Sequence, residues 1–114
     1  MHEMKVAQEI ISFSEKEMHE RGFATLTEIG IKVGALSCID PESLCFAFDV
    51  LKRETGLSQS VLNIERVTIE ARCLLCGSEF GVADYVFICP KCGASDVEVH
   101  KGEELVITYL TGER

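Results

Sequence analysis

Two short turns of one pattern, Cys73-Leu74-Leu75-Cys76-Gly77 and Cys89-Pro90-Lys91-Cys92-Gly93, constrain this chain more than any other feature. Two residues between cysteines let both sulfurs of a turn point to the same spot. The glycine that follows tolerates the backbone fold that turns amides toward sulfur. Two such turns facing each other place four thiolates at the corners of a tetrahedron, a closed structural metal site. Zinc and iron both accept tetrahedral thiolate. Zinc is favoured, because so short a segment cannot build a core alone and metal binding then supplies its folding free energy. A closed four-sulfur shell has no vacant position for water, and no nucleophile–base pair is evident elsewhere, so the chain reads as a non-enzyme.

The cysteine-rich segment is acidic. Lys91 and Lys101 are set against Glu79, Asp84, Asp96 and Glu98, and the whole chain has a formal net charge of −8. A sequence-tolerant nucleic-acid binder needs a cationic surface, so neither nucleic acid nor an anionic membrane surface is expected as a partner. No apolar run approaches the roughly 20 residues of a membrane span. The start, Met1-His2-Glu3-Met4-Lys5, lacks the pattern of a secretory signal. A cytoplasmic location is therefore expected, where cysteines bind metal or stay reduced rather than form disulfides.

Around the cysteines the pattern is that of a mixed core. Val6, Ala7, Ile10, Ile11, Ser14 and Met18 recur at three- and four-residue steps, which predicts a helix from about Met4 to Arg21, stopped by Gly22. Ile29, Ile31, Val33 and Ala35 alternate with Glu28, Gly30, Lys32 and Gly34, the period of a half-buried strand; its two outer-face glycines would let another backbone come close. Asp40-Pro41-Glu42 is a helix start, with Asp as cap, Pro in the first turn and Glu complementing the dipole. Leu44, Cys45, Phe48 and Leu51 form the apolar stripe of that second helix. A second strand is expected from about Leu62 to Arg72, with a bulge or strand-end irregularity near Glu65 and Arg66 because Ile64 and Val67 cannot share one face. Leu105 to Leu110 has strong β-propensity. The expectation is an α+β fold: two helices on a roughly three-stranded sheet, residues 1–72 completed by a strand within 103–114. It is interrupted by a zinc-ribbon-like module at 73–102.

Met1-His2-Glu3 is short, and by itself a weak signal. Its donors nevertheless suit a particular cation. With Met1 retained, the α-amine, the amides of His2 and Glu3, and the His2 imidazole lie within one small loop. Tetragonal or square-planar nitrogen coordination of this kind fits Ni(II) or Cu(II) rather than zinc. Glu3 could add a carboxylate or support the imidazole.

Met1-His2-Glu3, Val33-Gly34, Asp40-Pro41-Glu42-Ser43-Leu44, Ile69-Glu70-Ala71-Arg72-Cys73-x-x-Cys76-Gly77 and Cys89-Pro90-x-Cys92, in that order, closely resemble the HypA/HybF family of nickel-insertion accessory proteins of [NiFe]-hydrogenase maturation. The resemblance spans essentially the whole length. It implies that Met1, His2 and Glu3 form a nickel-binding terminus and that Cys73, Cys76, Cys89 and Cys92 hold structural Zn2+, with Ni2+ as transported cargo. It also implies a maturation GTPase and a hydrogenase large subunit as partners, and in some members a contribution to urease nickel supply. Two readings of other classes compete with the nickel carrier: a rubredoxin-like electron carrier with iron at the four thiolates, and a zinc-ribbon adaptor that binds only protein.

His100, where the cysteine-rich segment rejoins the core, is a candidate extra nickel ligand, though a surface strand residue is the plainer reading. Cys38 and Cys45 read as buried thiols acting as small hydrophobes, and His19 as a solvated helix residue. The chain is expected to be a monomer, or a weak or strand-exchanged dimer.

Overall fold

A computed structural model describes residues 2–114. Helix α1 runs Glu3–Glu20 and buries Ala7, Ile10, Ile11, Ser14 and Met18, the stripe read from the sequence. It ends in paired backbone bonds, Phe23 N–H to Met18 O at 3.0 Å and Gly22 N–H to His19 O at 3.3 Å. This is the 6→1 and 5→2 closure that needs a left-handed residue, supplied by Gly22 at φ +74°.

Strand β1, Thr25–Gly34, follows, and then helix α2, Pro41–Leu51, whose start is capped as expected: Asp40 Oδ2 accepts the Ser43 amide at 3.1 Å. Helix α2 is the crossover that lets strand β2, Val61–Val67, lie parallel to β1, since parallel neighbours cannot be joined by a tight turn. The last strand of the chain, named β6 in chain order and spanning Leu105–Glu113, returns antiparallel along the other edge of β1. The sheet order is β2-β1-β6, with β1 in the centre. Ile29, Ile31 and Val33 of β1 meet Ala7, Ile10 and Ile11 of α1 and Leu44, Ala47 and Phe48 of α2 in one buried cluster.

The run from Leu62 to Arg72 is not one bulged strand. It breaks at Thr68 into β2 and a separate strand β3, Ile69–Cys73. The phase conflict between Ile64 and Val67 is relieved by changing sheets: Val67 lies opposite Gly34, the last residue of β1, so the chain beyond it has no partner in the first sheet. In β3 the side chains of Ile69, Ala71 and Cys73 are buried at alternate positions. Strand β3 is the centre of a second three-stranded sheet, β4-β3-β5, with β4 at Glu79–Val82 and β5 at Val97–Lys101, both antiparallel to it. The molecule is long and thin, 54 × 26 × 15 Å.

The two outer-face glycines of β1 do different jobs. A methyl group at Gly34 would collide with the backbone of Gly102, and here the chain returning from the second sheet does press on β1. Gly34 N–H donates to Glu104 O at 2.6 Å and Leu36 N–H to Gly102 O at 2.7 Å. At Gly30 the visitor is a side chain, the ring of Tyr109. Its hydroxyl donates to Glu28 Oε2 and accepts from Asn63 Nδ2 at 2.6 Å, tying all three strands together on the side away from the helices.

Ser14 sits in the buried stripe of α1, and among the described residues its Oγ has no hydrogen-bond partner. Burying an unpaired hydroxyl costs free energy, and Ala is the better helix former. Ser14→Ala is therefore expected to raise stability by about 1 kcal/mol in urea unfolding; an unchanged or lowered midpoint would count against the hydroxyl being unpaired.

Candidate metal centres

The second sheet delivers four cysteines to one point. Cys73 is the last residue of β3, so the strand itself aims the first sulfur inward. The two turns are built alike. Gly77 N–H donates to Cys73 O at 3.0 Å and Gly93 N–H to Cys89 O at 2.8 Å; Cys73 N–H reaches Ser78 O and Cys89 N–H reaches Ala94 O, both at 2.9 Å. Gly77 and Gly93 have φ of +78° and +77°, the left-handed backbone that glycine adopts without strain. A further bond, Leu74 N–H to Asp96 O at 2.8 Å, brings the approach to β5 alongside the first turn.

The ligand atoms of Cys73, Cys76, Cys89 and Cys92 all lie within 4.8 Å of one another. The Cys73–Cys92 sulfurs are 3.5 Å apart and the Cys76–Cys89 sulfurs 3.6 Å. A tetrahedron with metal–sulfur bonds of about 2.3 Å has edges of about 3.8 Å, so the four sulfurs stand near the spacing that a zinc ion takes. Cys73 and Cys89 are buried, whereas Cys76 and Cys92 face outward.

Four thiols this close cannot all ionise unaided. Cys76 is held down to about 6, chiefly by the Ser78 hydroxyl and amide. Cys73 is lowered as well, first by the Cys76 amide. Cys92 is drawn down by the Ala94 amide but on balance pushed up to about 12, by the Cys73 thiol, by burial and by Cys89 and Cys76. A bound cation removes this conflict by stabilising every thiolate at once.

The N-terminal candidates lie on the first sheet's side of the molecule. Met1 is outside the described residues. His2 is exposed and caps α1 through its backbone: Val6 N–H donates to His2 O at 2.9 Å, the first bond of the helix. Glu3 is half-buried, and its Oε2 accepts the Asp40 amide at 3.0 Å. The start of α1 is thereby pinned to the start of α2, two points 37 residues apart. Asp40, read from the sequence only as a helix cap, is also the anchor for Glu3. A cleft of about 360 Å³ opens beside it, between Val33 and Ile39 of the first sheet's side and Tyr85 of the cysteine-bearing segment.

His100 lies on β5, and its Nε2 is 3.3 Å from Glu79 Oε1, a contact within the cysteine-bearing sheet. Cys45 is half-buried against the core as expected, and burial raises its thiol pKa. Cys38 is exposed, not buried, because it occupies a left-handed position, φ +62°, after the short turn that ends β1. No local signal marks that conformation. His19 is exposed, as read.

A helix-backed sheet joined to a smaller sheet that gathers four cysteines at one point is the architecture of a small protein with a metal-binding group. A family model described as hydrogenase/urease nickel incorporation, metallochaperone, hypA, matches residues 1–112. The chain belongs to the HypA family, nickel-incorporation metallochaperones and maturation factors rather than enzymes. It is 37% identical over 113 residues to a hydrogenase maturation factor HypA from Geobacter metallireducens and 36% identical over 113 residues to one from Acidithiobacillus ferrooxidans. Each alignment covers 99% of this chain and 100% of the relative. The solution structure of the Ni metallochaperone HypA from Helicobacter pylori shares the fold, with TM-score 0.68 and 22% identity over 99% of this chain and 98% of that one. Family membership, rather than cysteine spacing, decides against the electron-carrier and adaptor readings.

Cys73→Ala is expected to abolish metal binding at the four-cysteine site, checked by elemental analysis. It should also strip amide-exchange protection from β3–β5 while leaving β1, β2 and β6 protected, because the first sheet has a core of its own. Loss of protection in both sheets together would mean that the larger core depends on the metal.

Proposed function

We propose that this chain carries Ni(II) at its amino terminus and delivers it for maturation of [NiFe]-hydrogenase. The four cysteines hold Zn2+ as a structural ion. The observation that supports the terminal site is the bond from the Asp40 amide to the Glu3 carboxylate. It fixes Glu3 against the start of α2, which favours one geometry for a loop of donors built on it.

The proposed donors are the Met1 α-amine, the amide nitrogens of His2 and Glu3, and the His2 imidazole, with the Glu3 carboxylate as orienting group. The amides of His2 and Glu3 precede the first intrahelical bond, from Val6 N–H to His2 O. A metal bound there breaks no bond of the helix ladder. The helix dipole opposes a cation at this end, while deprotonated amides and the Glu3 carboxylate offset it. Moderate affinity results, which suits a carrier that must release its cargo.

The module boundaries proposed are residues 1–72 with 103–114 for the nickel-carrying part and 73–102 for the zinc part; β3 begins ahead of that boundary, since Ile69–Cys73 already pairs in the second sheet. In this reading the partners are a maturation GTPase and a hydrogenase large subunit, met in the cytoplasm. No helix among the described residues is long and apolar enough to cross a membrane.

Calorimetry on the untagged, zinc-loaded chain tests the terminal site. One nickel is expected to bind in the micromolar range, roughly 8 kcal/mol, and to be lost in His2→Ala and in a chain with one residue added before Met1. If all three bind alike, nickel is held elsewhere. Binding should weaken as pH falls, because imidazole and amide nitrogens must shed protons to bind metal; a flat profile from neutral to mildly acidic pH would count against this ligand set.

A further inference from the structure

On the side of the first sheet away from the helices, an aromatic ring lies flat on the backbone. Gly30 of β1 is in register with Tyr109 of β6 on one edge and with Asn63 of β2 on the other. A methyl group at Gly30 would meet Cε2, Cδ2 and Cζ of Tyr109 together, so the ring rests face down on the glycine and turns its other face outward. Tyr109 remains 40% exposed. Its hydroxyl is held from both sides, donating to Glu28 Oε2 and accepting from Asn63 Nδ2 at 2.6 Å. A ring supported from below and tied at its tip loses little further freedom when another group stacks on it.

Carboxylates border the ring. Asn63 Nδ2 also donates to Glu28 Oε2, at 3.2 Å, so both bonds fall on one oxygen, and among the described residues none donates to Glu28 Oε1. Alternation along β2 puts Val61 and Glu65 on the same side as Asn63. Val61 is 60% exposed; Glu65 is exposed as well and forms no ion pair among the described residues. Lys32 is opposite Glu65 in the register and also pulls on Glu104, so one ammonium serves two carboxylates.

We propose that this face docks a partner protein through an arginine, whose guanidinium stacks on the outer face of Tyr109 and donates to Glu28 Oε1. The charges and the ring together choose this occupant. The face of an aromatic ring is negative and attracts a cation. Guanidinium is planar, weakly hydrated and carries several donors in a fixed fork, so it stacks and bonds a carboxylate at once; a lysine ammonium is compact and strongly hydrated, and gains less. The methylenes of the arginine lie along Val61, and Glu65 suits a second basic residue of the same segment. A nucleobase also stacks on tyrosine, but its phosphates would meet Glu28 and Glu65 on a chain of net charge −8. Helix α1, which carries the amino terminus, packs on the opposite side of the sheet, so a docked arginine leaves the proposed nickel site clear.

The test is an NMR titration of the full zinc-loaded chain with a blocked Gly-Arg-Gly-Arg-Gly peptide, beside the same peptide with lysine for arginine and a deoxythymidine decamer. Shift changes are expected at Gly30, Asn63 and Tyr109, with the arginine peptide binding about threefold more tightly than the lysine one. Tyr109→Leu should weaken the arginine peptide about threefold and erase its advantage over lysine. Glu65→Lys, at an exposed position, should weaken both peptides and leave nickel binding by calorimetry unchanged, which separates this surface from the terminal site. Equal binding of the two peptides would overturn the proposal. So would shift changes scattered over carboxylates elsewhere on the chain, the mark of unspecific charge attraction, or binding of the decamer to this face.

Discussion

Strand β1 is hydrogen-bonded along both edges, and every other part of the larger sheet is placed by that fact. Its parallel partner, β2, can be reached only by a crossover, and α2 is that crossover. Its antiparallel partner, β6, comes from the far end of the chain, so the intervening residues must leave the sheet and come back. The helices then have one face to cover, and Ile29, Ile31 and Val33 supply the buried side of it. Gly34 has no side chain because the returning backbone at Gly102 occupies that space.

The second sheet solves a different problem. Among its buried residues are Ile69, Ala71, Cys73 and Cys89, too few apolar groups to support three short strands against the entropy of ordering them. Crowded thiols replace a core there. Four sulfurs within 4.8 Å of one another repel as thiolates, and a bound cation would relieve that repulsion. A metal held by the four cysteines would close that sheet, while the first sheet closes by ordinary packing.

The amino terminus joins these two economies. Glu3 belongs to the first turn of α1, yet its carboxylate takes the Asp40 amide at the head of α2, beside the cleft that Tyr85 of the cysteine-bearing segment helps to line. The Tyr85 hydroxyl also lies 3.5 Å from Ala35 O. Glu3 is therefore held where the two halves of the molecule approach each other.

Local chemistry alone determined a good deal. The α1 stripe, the Gly22 stop, the Asp40 cap and the two cysteine turns each rest on neighbours within a few residues, where periodicity and backbone preference act. The order of those motifs also carried the family. Tertiary structure decided the rest. It split the run from Leu62 to Arg72 at Thr68, since a strand must end where its partner ends, and that partner is set by pairing across more than thirty residues, Gly34 with Val67. It filled the space over Gly30 with Tyr109 and brought Glu3 to Asp40. Each of these depends on which distant segments share a sheet or a helix end, and no window of sequence contains both partners.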